Sequence, residues 1–300
     1  MGKFQRSWAL FGRSFQVLRE NRKLLLFPII ITALTLLIVA FFAVPLTAMK
    51  TGYAVTDIAH WKAAGQAVGV TFDKGGRMHA TGPFYGIAAV IYLLSMFLTT
   101  FFNVAFYHEI LTALNGQPVS ISRGFHFAAS RIRAVAAWSL FSGLVGLIIK
   151  SIEERVGLVG RIVVRFIGIG WSVASVFVIP VIVREGASAN PVQFLKSSAG
   201  MLKKTWGESL IGYSGISAGT FLAFTPSLII LPLSLVFGLT FFWVGLGLWV
   251  VCFVVFAYVI SVAGQVYKGA LYIYASEGVV PGPFDEDQMN MAWRVKTARK

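Results

Sequence analysis

The sequence predicts an all-α protein, a polytopic helical membrane bundle with six spans arranged as three repeats of an interfacial amphipathic helix plus a transmembrane hairpin. Three observations support this fold class. Hydrophobic residues make up 57% of the 300 residues and charged residues only 13%, with a mean hydropathy of +0.75. Soluble domains carry about 25% charged residues, so this composition excludes a soluble domain. The other two observations are long apolar runs and short amphipathic segments that recur along the chain.

The apolar runs predict the spans. A spanning helix needs about 20 apolar residues, more than the roughly 7–15 of a signal-peptide core, so the first run is predicted to be a retained span. The outer loop after it, Lys50–Gly82, contains a short amphipathic stretch near Ile58–Val68. The predicted spans are Leu24–Ala48, Pro83–Leu114, Ala134–Ile149, Ile162–Val183 and Gly207–Phe224, followed by a stretch from Pro226 to Tyr274 that holds one span or two.

The distribution of basic residues decides between six and seven spans. With six spans and both termini on one side, that side carries 18 of the 26 Lys and Arg residues and the other side carries 8, whereas a seventh span would divide them 13 to 13. Basic loops face the cytoplasm. We therefore expect six spans in a bacterial inner (cytoplasmic) membrane, with both termini cytoplasmic. The segment Pro226–Phe242 then extends the fifth span or re-enters the membrane from the outer side.

An internal repeat divides the chain, which we treat as a single integral membrane domain. The repeats cover residues 1–118, 119–189 and 190–283, and a cytoplasmic tail covers 284–300. Each returning span ends in a glycine followed by a proline, at Asn115–Pro118, Glu185–Pro191 and Glu277–Pro281. We expect the glycine to form a left-handed C-cap and the proline to stop the helix. Two returning spans also share a similar tail, FYHEIL from Phe106 and VYKGAL from Val266.

Each repeat begins with an amphipathic segment. Apolar residues recur at helical spacing in each, with basic residues such as Arg13, Arg123 and Lys196 on the opposite face. The apolar stripes are Phe4, Trp8, Phe11, Phe15 and Leu18; Ile121, Phe125, Ala128 and Ile132; and, after a start at Asn190 and Pro191, Leu195, Ser198, Leu202 and Thr205. These helices lie flat in the cytoplasmic leaflet, pack on the ends of the spans, or do both at once. The candidate interfacial anchors are Trp8, Phe11, Phe15, Arg22 and Lys23.

Both ends of the chain carry a family resemblance. The patterns SWALFGRSFQVLRENRKLLLFPI, from Ser7 to Ile29, and YKGALYIYASEGVVPGPFDEDQM, from Tyr267 to Met289, resemble a family of uncharacterised bacterial multi-pass membrane proteins, a domain of unknown function. More loosely, the triplicated plan is similar to the membrane domain fused to some glycerophosphodiester phosphodiesterases. The resemblance implies a helical inner-membrane protein and carries no site residues. The phosphodiesterase's own catalytic domain is absent from the sequence, so that activity is not carried over.

The sequence contains no catalytic or metal-ligand motif. Its histidines, His60, His79, His108 and His126, have no ligand spacing, and its single cysteine, Cys252, lies in an apolar run. No basic run is interleaved with aromatic residues in a soluble segment, as nucleic-acid binding would require. We therefore expect no enzymatic activity, no cofactor, no metal and no nucleic-acid partner.

Polar residues within the spans form a candidate intramembrane cluster. Asn103, His108 and Glu109 lie near the cytoplasmic end of the second span, and Lys268 lies at a similar depth in the last. Ionisable groups in a span are costly and need partners. Our hypothesis is that Glu109 and Lys268 pair across the bundle, a structural role that we favour over transport because no acidic residue lies at mid-bilayer.

Two functions remain open at this stage. The first is a membrane-organising or adaptor protein that contacts anionic headgroups through its amphipathic helices. A protein partner or a homo-oligomer is compatible with that function. The alternative is a transporter or lipid-handling protein with a site between repeats near Pro226 and Pro232, because discontinuous helices often line binding sites.

Overall fold

The structure is a computed structural model that describes residues 3–73, 77–186, 188–205, 232, 235–236 and 238–284. The side chains of residues 3–11 and 204–205 lie outside this description. Its helices and strands are α1 (Lys3–Glu20), a 3₁₀-helix η1 (Arg22–Leu25), α2 (Leu26–Thr47), α3 (Ile58–Ala67), β1 (Val70–Phe72), β2 (Met78–Ala80), α4 (Gly82–Leu114), α5 (Ile121–Ser130), α6 (Ile132–Arg155), α7 (Leu158–Ala174), α8 (Val178–Glu185), α9 (Pro191–Thr205) and α10 (Leu239–Glu277).

Five helical segments among the described residues are long and apolar enough to cross a membrane. They are Arg22–Thr47, Gly82–Leu114, Ile132–Arg155, Leu158–Glu185 and Leu239–Glu277. Only 11–33% of the residues in their most apolar windows are buried within the protein. Large apolar side chains therefore cover the outside of the bundle. Such a surface is stable in the hydrocarbon core of a bilayer and is rare on proteins in water. The chain is a helical membrane protein with several spans.

Four of these segments overlap the first four predicted spans, and the fifth lies in the long C-terminal stretch. The predicted span Gly207–Phe224 lies outside the described residues. In the long C-terminal stretch, α10 is one continuous helix of 39 residues that begins at Leu239 after Gly238, whose φ is 108°. The re-entrant or extended segment predicted for Pro226–Phe242 is therefore wrong at its C-terminal end, because Leu239–Phe242 forms the first turn of α10.

The fourth predicted span, Ile162–Val183, is broken into α7 and α8. The ring of Pro180 excludes the carbonyl of Val176 from a regular helix, which accounts for an interruption at this point. Ser198 of α9 satisfies the freed backbone groups: its hydroxyl donates to the carbonyl of Ala174 at 2.6 Å and accepts from the amide of Phe177 at 3.0 Å. A broken helix is tolerated in a membrane when neighbouring side chains bond its backbone in this way.

The predicted glycine caps form at two of the three returning spans. Gly116 and Gly278 have φ values of 73° and 69°, the left-handed conformation that ends α4 and α10. The prediction is wrong at Gly186, whose φ is −69°. A Cβ at Gly186 would lie 2.2 Å from the carbonyl oxygen of Ile182, so this glycine permits a close approach of the backbone instead.

The loop between the first two spans contains α3, which covers the predicted amphipathic stretch, and also a small hairpin that the all-α fold class missed. Strands β1 and β2 pair antiparallel, with Val70 opposite Ala80. The buried ring of His60 bonds Thr51 Oγ1 at 2.7 Å and the carbonyl of Leu46 at 3.0 Å, which ties α3 to the end of α2. Valine, threonine and phenylalanine at 70–72 favour a strand, but the segment is too short to stand out in the sequence.

The core lies at one end of the bundle, which we call the packed end. All buried residues of α4 fall between Thr100 and Leu114, and all those of α10 between Val262 and Tyr274. The similar tails of these two helices meet here, because a Cβ on Gly269 would lie 2.7 Å from Ile110 Cγ2. Around them α5 packs on α4, α9 packs on α8, and α1 packs on α10. The other ends of α4 and α10 we call the far half.

Candidate functional site

A fully buried carboxylate lies at the packed end. Glu109 of α4 has a relative exposure of 0%. Its Oε1 accepts from Arg123 Nε at 2.9 Å, and its Oε2 accepts from Arg123 Nη2 at 2.6 Å and from the amide of Ser120 at 2.6 Å. A bidentate arginine and a backbone amide together stabilise the buried charge. We call Glu109, Arg123 and Ser120 the Glu109 clasp.

The local sequence explains why α5 folds back onto Glu109. Gly116 reverses the chain after α4, and the hydroxyl of Ser120 caps α5 by accepting from the amide of Arg123. A Cβ at Gly124 would lie 3.0 Å from both the carbonyl oxygen of Ala105 and Glu109 Cγ, so only a glycine lets the two helices come this close. Arg123 Nη2 also donates to the carbonyl of Pro118 at 2.7 Å, which fixes the connecting loop.

The clasp corrects the predicted pairing of Glu109 with Lys268. Both carboxylate oxygens are bonded to Arg123, which the amphipathic pattern places on the face opposite the apolar stripe. The hydrogen bond to Glu109 raises the pKa of the Arg123 guanidinium above its ordinary value, so this side chain stays charged. The signal that identifies Arg123 is a carboxylate in the last turns of a span, followed by a tight turn and an arginine at the start of the next helix.

The other candidates of the intramembrane cluster lie at different distances from the clasp. His108 Nε2 is 3.8 Å from Glu109 Oε1, and its ring stacks on Phe127 of α5 with centroids 3.8 Å apart. Asn103 is half-buried, almost two turns before Glu109 in α4. The structure therefore brings His108 to Glu109 and replaces Lys268 with Arg123.

Aromatic packing attaches the first span to the same corner. Phe27, at the start of α2, is 1% exposed. Its ring lies between Phe106 of α4 and Phe125 of α5, with centroids 5.4 and 5.9 Å away. The hydroxyl of Tyr258 in α10 donates to the carbonyl of Leu25. These contacts hold η1 and the start of α2 beside the loop that the clasp fixes.

A cavity opens between η1 and that loop. It has a volume of about 390 Å³ and is lined by Arg19, Glu20, Asn21, Arg22, Lys23, Pro118 and Val119. We call this site the basic corner. A neighbouring cavity of about 700 Å³ is lined by Phe15, Gln16, Arg19, Glu20 and Arg22. Two of the predicted anchors, Arg22 and Lys23, therefore line a cavity with their exposed side chains.

The remaining predicted anchors differ from one another. Phe15 is half-buried and packs against the core, while the side chains of Trp8 and Phe11 lie outside the described residues. Leu18, Ala128 and Leu202, one from each amphipathic stripe, are at most 4% exposed. Ile132 does not belong to its stripe, because it begins α6 and is 48% exposed. The described parts of the stripes therefore pack against the spans, which is one of the two predicted arrangements.

Two further predictions concern chemistry and transport. Within residues 3–73, 77–186, 188–205 and 238–284, no group of three or more His, Cys, Asp or Glu side chains is arranged to hold a metal ion. Cys252 is exposed on the far half of α10. The predicted transport site lies outside the described residues at Pro226, and Pro232 is described only as an isolated residue.

Comparisons with known proteins complete the description. No curated protein and no solved structure matches the chain. A family model matches residues 84–282, from the first turn of α4 to just beyond α10. The match contains the Glu109 clasp and the C-terminal pattern from Tyr267 as far as Gly282, whereas the N-terminal pattern Ser7–Ile29 lies outside it. Because the match covers well over half of the 300 residues, the chain belongs to a family of unknown function, DUF6159.

Proposed function

We propose that this chain is a non-enzymatic, multi-pass protein of the bacterial inner membrane that organises the membrane or acts as an adaptor. It contacts anionic lipid of the cytoplasmic leaflet through α1, α5 and α9. The observation that carries the proposal is that these three helices all pack on one end of the spans, the packed end, and present basic side chains there. Helices with an apolar stripe and a basic face are typical of membrane surfaces.

A pseudo-threefold ring of six spans accounts for this arrangement, with the fifth span in Gly207–Phe224. Each surface helix contacts the returning span that precedes it, and the first surface helix contacts the last returning span. A small buried residue recurs in the three helices: Ser14, Gly124 and Ser198. Two of them lie in similar triplets, RSF at Arg13–Phe15 and RGF at Arg123–Phe125. Such recurrence supports three copies of one supersecondary unit.

The charge of the packed end supports a cytoplasmic orientation, with both termini inside. Basic residues outnumber acidic ones there among the described residues, and lipid-proximal basic residues face the cytoplasm. The basic residues are Arg13, Arg19, Arg22, Lys23, Arg123, Arg131, Arg133, Arg184, Lys196, Lys203 and Lys268, and the acidic ones are Glu20, Glu109, Glu185 and Glu277.

Cysteine labelling tests the orientation. Cys252→Ala removes the single cysteine, and new single cysteines replace exposed residues: Gln16 in α1, Ala129 in α5, and Thr56 in the loop before α3. A membrane-impermeant maleimide should label Thr56→Cys in intact cells, and Gln16→Cys and Ala129→Cys only after permeabilisation. Labelling of Gln16→Cys and Ala129→Cys from opposite sides would refute the shared surface.

Hydrogen exchange tests the lipid contact. The protein is reconstituted into nanodiscs of phosphatidylcholine alone or mixed with phosphatidylglycerol. We expect amide exchange in α1, α5 and α9 to slow when the anionic lipid is present, while exchange in α3, on the other side of the membrane, stays the same. Equal exchange of the three helices in both lipids would reject the proposed contact with anionic lipid.

A further inference from the structure

The basic corner is an open pocket of ligand size at the surface of the packed end. Its volume of about 390 Å³ falls within the usual range for small-molecule pockets, about 300–1,000 Å³. Arg19, Arg22 and Lys23 line it from one side, and Pro118 and Val119 from the other. The two sides come from connections that are far apart in the chain, α1 to α2 and α4 to α5, so the cavity exists only in the folded bundle.

Basic side chains outnumber acidic ones in the lining of the cavity. In the part of the chain that the structure describes, no salt bridge involves Arg19, Arg22 or Lys23. The one carboxylate in the lining, Glu20, accepts a hydrogen bond from Gln16 Nε2 at 3.2 Å. Two guanidinium groups and an ammonium around one cavity suit a phosphate group, which accepts bidentate hydrogen bonds from arginine and attracts lysine as a point charge.

Both walls of the cavity are held in place before any ligand binds. The Arg123 side chain of the Glu109 clasp bonds the carbonyl of Pro118, and Val119 is only 6% exposed. On the other wall, Asn21 Nδ2 donates to the carbonyl of Val17 at 3.2 Å, and Leu24 is completely buried. A preorganised site loses less conformational entropy when it binds.

The surroundings of the cavity favour a lipid over a soluble anion. α2 begins at Leu26, three residues after Lys23, and its first-turn residues Leu26 and Ile29 are 44% and 53% exposed on the outside of the bundle. A headgroup in the basic corner would therefore leave its acyl chains beside the apolar surface of the first span. Basic residues at the cytoplasmic end of a span are also the usual contact for anionic lipid.

We propose that the basic corner binds the phosphate-bearing headgroup of an anionic phospholipid, with Arg19, Arg22 and Lys23 as the phosphate ligands and Arg123 as a positioning residue for the loop at Pro118. The inference rests on the proposed function and adds a defined site to it. The neighbouring cavity of about 700 Å³ shares Arg19, Glu20 and Arg22 with the site, so it offers room for the polar group esterified to the phosphate.

Lipid binding to the purified full-length protein tests the site. Phosphatidylglycerol with a pyrene-labelled acyl chain is titrated into detergent-solubilised protein, and energy transfer from tryptophan reports binding. Replacing Arg19, Arg22 and Lys23 by Gln should weaken binding by on the order of tenfold or more. The comparison variant replaces Arg133, Lys196 and Lys203 by Gln, which removes the same charge from the packed end away from the cavity and should weaken binding clearly less than the corner variant does, because it affects only the general surface contact.

Equal weakening in the two variants would overturn the site while leaving the proposed surface contact standing, since the hydrogen-exchange test of α5 and α9 does not involve the corner. Displacement of the labelled lipid by inorganic phosphate at equal concentration would overturn the lipid assignment in favour of a soluble anion. Unchanged affinity in the corner variant would also reject the site.

Lysine footprinting of the unaltered protein keeps the inference testable if the corner variant fails to fold. Nanodiscs with and without phosphatidylglycerol are treated with an acetylating reagent, and the modification of each lysine is followed by mass spectrometry. Lys23 should be protected several-fold by the anionic lipid, and Lys196 and Lys203 much less. Equal protection of the three lysines would overturn the site.

Discussion

The two halves of α4 and α10 differ although each helix is continuous. In the packed end, Tyr107 donates to Gln265 Oε1 at 2.5 Å, and Gly269 lies against Ile110. In the far half, Val90 of α4 and Val254 of α10 are 62% and 57% exposed. The same contrast occurs within α2, where Phe27 is 1% exposed and Phe41 is 72% exposed. Specific tertiary contacts are therefore concentrated at one end, and hydrocarbon is the surrounding solvent along the rest.

The contrast shows what holds helices together in a bilayer. An apolar side chain gains little by leaving lipid for protein, so helix association depends on close packing, small residues and buried polar bonds. The packed end has all three, in Gly269, Gly124 and the Glu109 clasp. Substitutions should therefore have large effects there and small ones in the far half, even when the residue type and the helix are the same.

We expect the largest difference in the free energy of unfolding between substitutions of two phenylalanines of α2. Phe27→Ala removes a ring that lies between Phe106 and Phe125 and should lower the free energy of unfolding by about 3 kcal/mol. Phe41→Ala removes a ring that faces lipid and should change it by less than about 0.5 kcal/mol. Denaturant titration in mixed micelles measures both. Similar losses for the two variants would show that the packed end is not the stabilising core.

Removing only one partner of the Glu109 clasp should lower the free energy of unfolding by nearly as much. Arg123→Met leaves the carboxylate of Glu109 buried without its cation and should cost about 3 kcal/mol. Arg133→Met, at an exposed position of α6, is the matched control and should cost less than about 0.5 kcal/mol.

A double variant separates the buried charge from the rest of the site. Adding Glu109→Leu to Arg123→Met should recover most of the lost stability, because the uncompensated carboxylate is gone. The comparison of the two unfolding midpoints measures this recovery. A double variant that is less stable than Arg123→Met alone would contradict the assignment of Arg123 as the partner of Glu109.

Alanine substitutions at two glycines of α10 should change the free energy of unfolding in opposite directions. A Cβ on Gly269 would lie 2.7 Å from Ile110 Cγ2, a methyl on a stiff β-branched side chain, so Gly269→Ala should cost about 2 kcal/mol. Gly247 has no atom within 4 Å of the same position, so Gly247→Ala should stabilise the helix by up to about 1 kcal/mol. Thermal unfolding of both variants in the same detergent measures the difference. If both variants shift in the same direction, α10 does not pack on α4 as described.

The sequence predicted the helices better than their contacts, for a physical reason. Runs of apolar residues long enough to cross a bilayer have few alternatives to a helix, so the bounds of α2, α4 and the end of α10 follow closely from composition. Periodicity likewise predicted α1, α5 and α9. The partner of Glu109 did not follow, because depth along a helix can be read from the sequence while rotation about its axis cannot. Lys268 has a suitable depth, whereas Arg123 reaches Glu109 only because Gly124 brings α5 close.

The break in the fourth span is due to a proline, which the average hydropathy of the span does not reveal. Composition predicted one helix over Ile162–Val183, yet Pro180 lies within it and interrupts the backbone between Ala174 and Val178. Ser198, which satisfies that break, was interpreted only as a weak member of an amphipathic stripe. A proline inside a predicted span and a serine on the following surface helix together indicate such a site.

Removing the hydroxyl of Ser198 should therefore have the smallest and most local of the expected effects on stability. Ser198→Ala leaves the carbonyl of Ala174 and the amide of Phe177 without their side-chain partner, and the free energy of unfolding should fall by about 1.5 kcal/mol. Ser197→Ala removes only a bond to the exposed Glu185 and should change it by less than about 0.5 kcal/mol. Hydrogen exchange at Phe177 should accelerate in the first variant alone. If both variants exchange alike, the break is stabilised by α7 and α8 themselves, and α9 packs beside it without bonding its backbone.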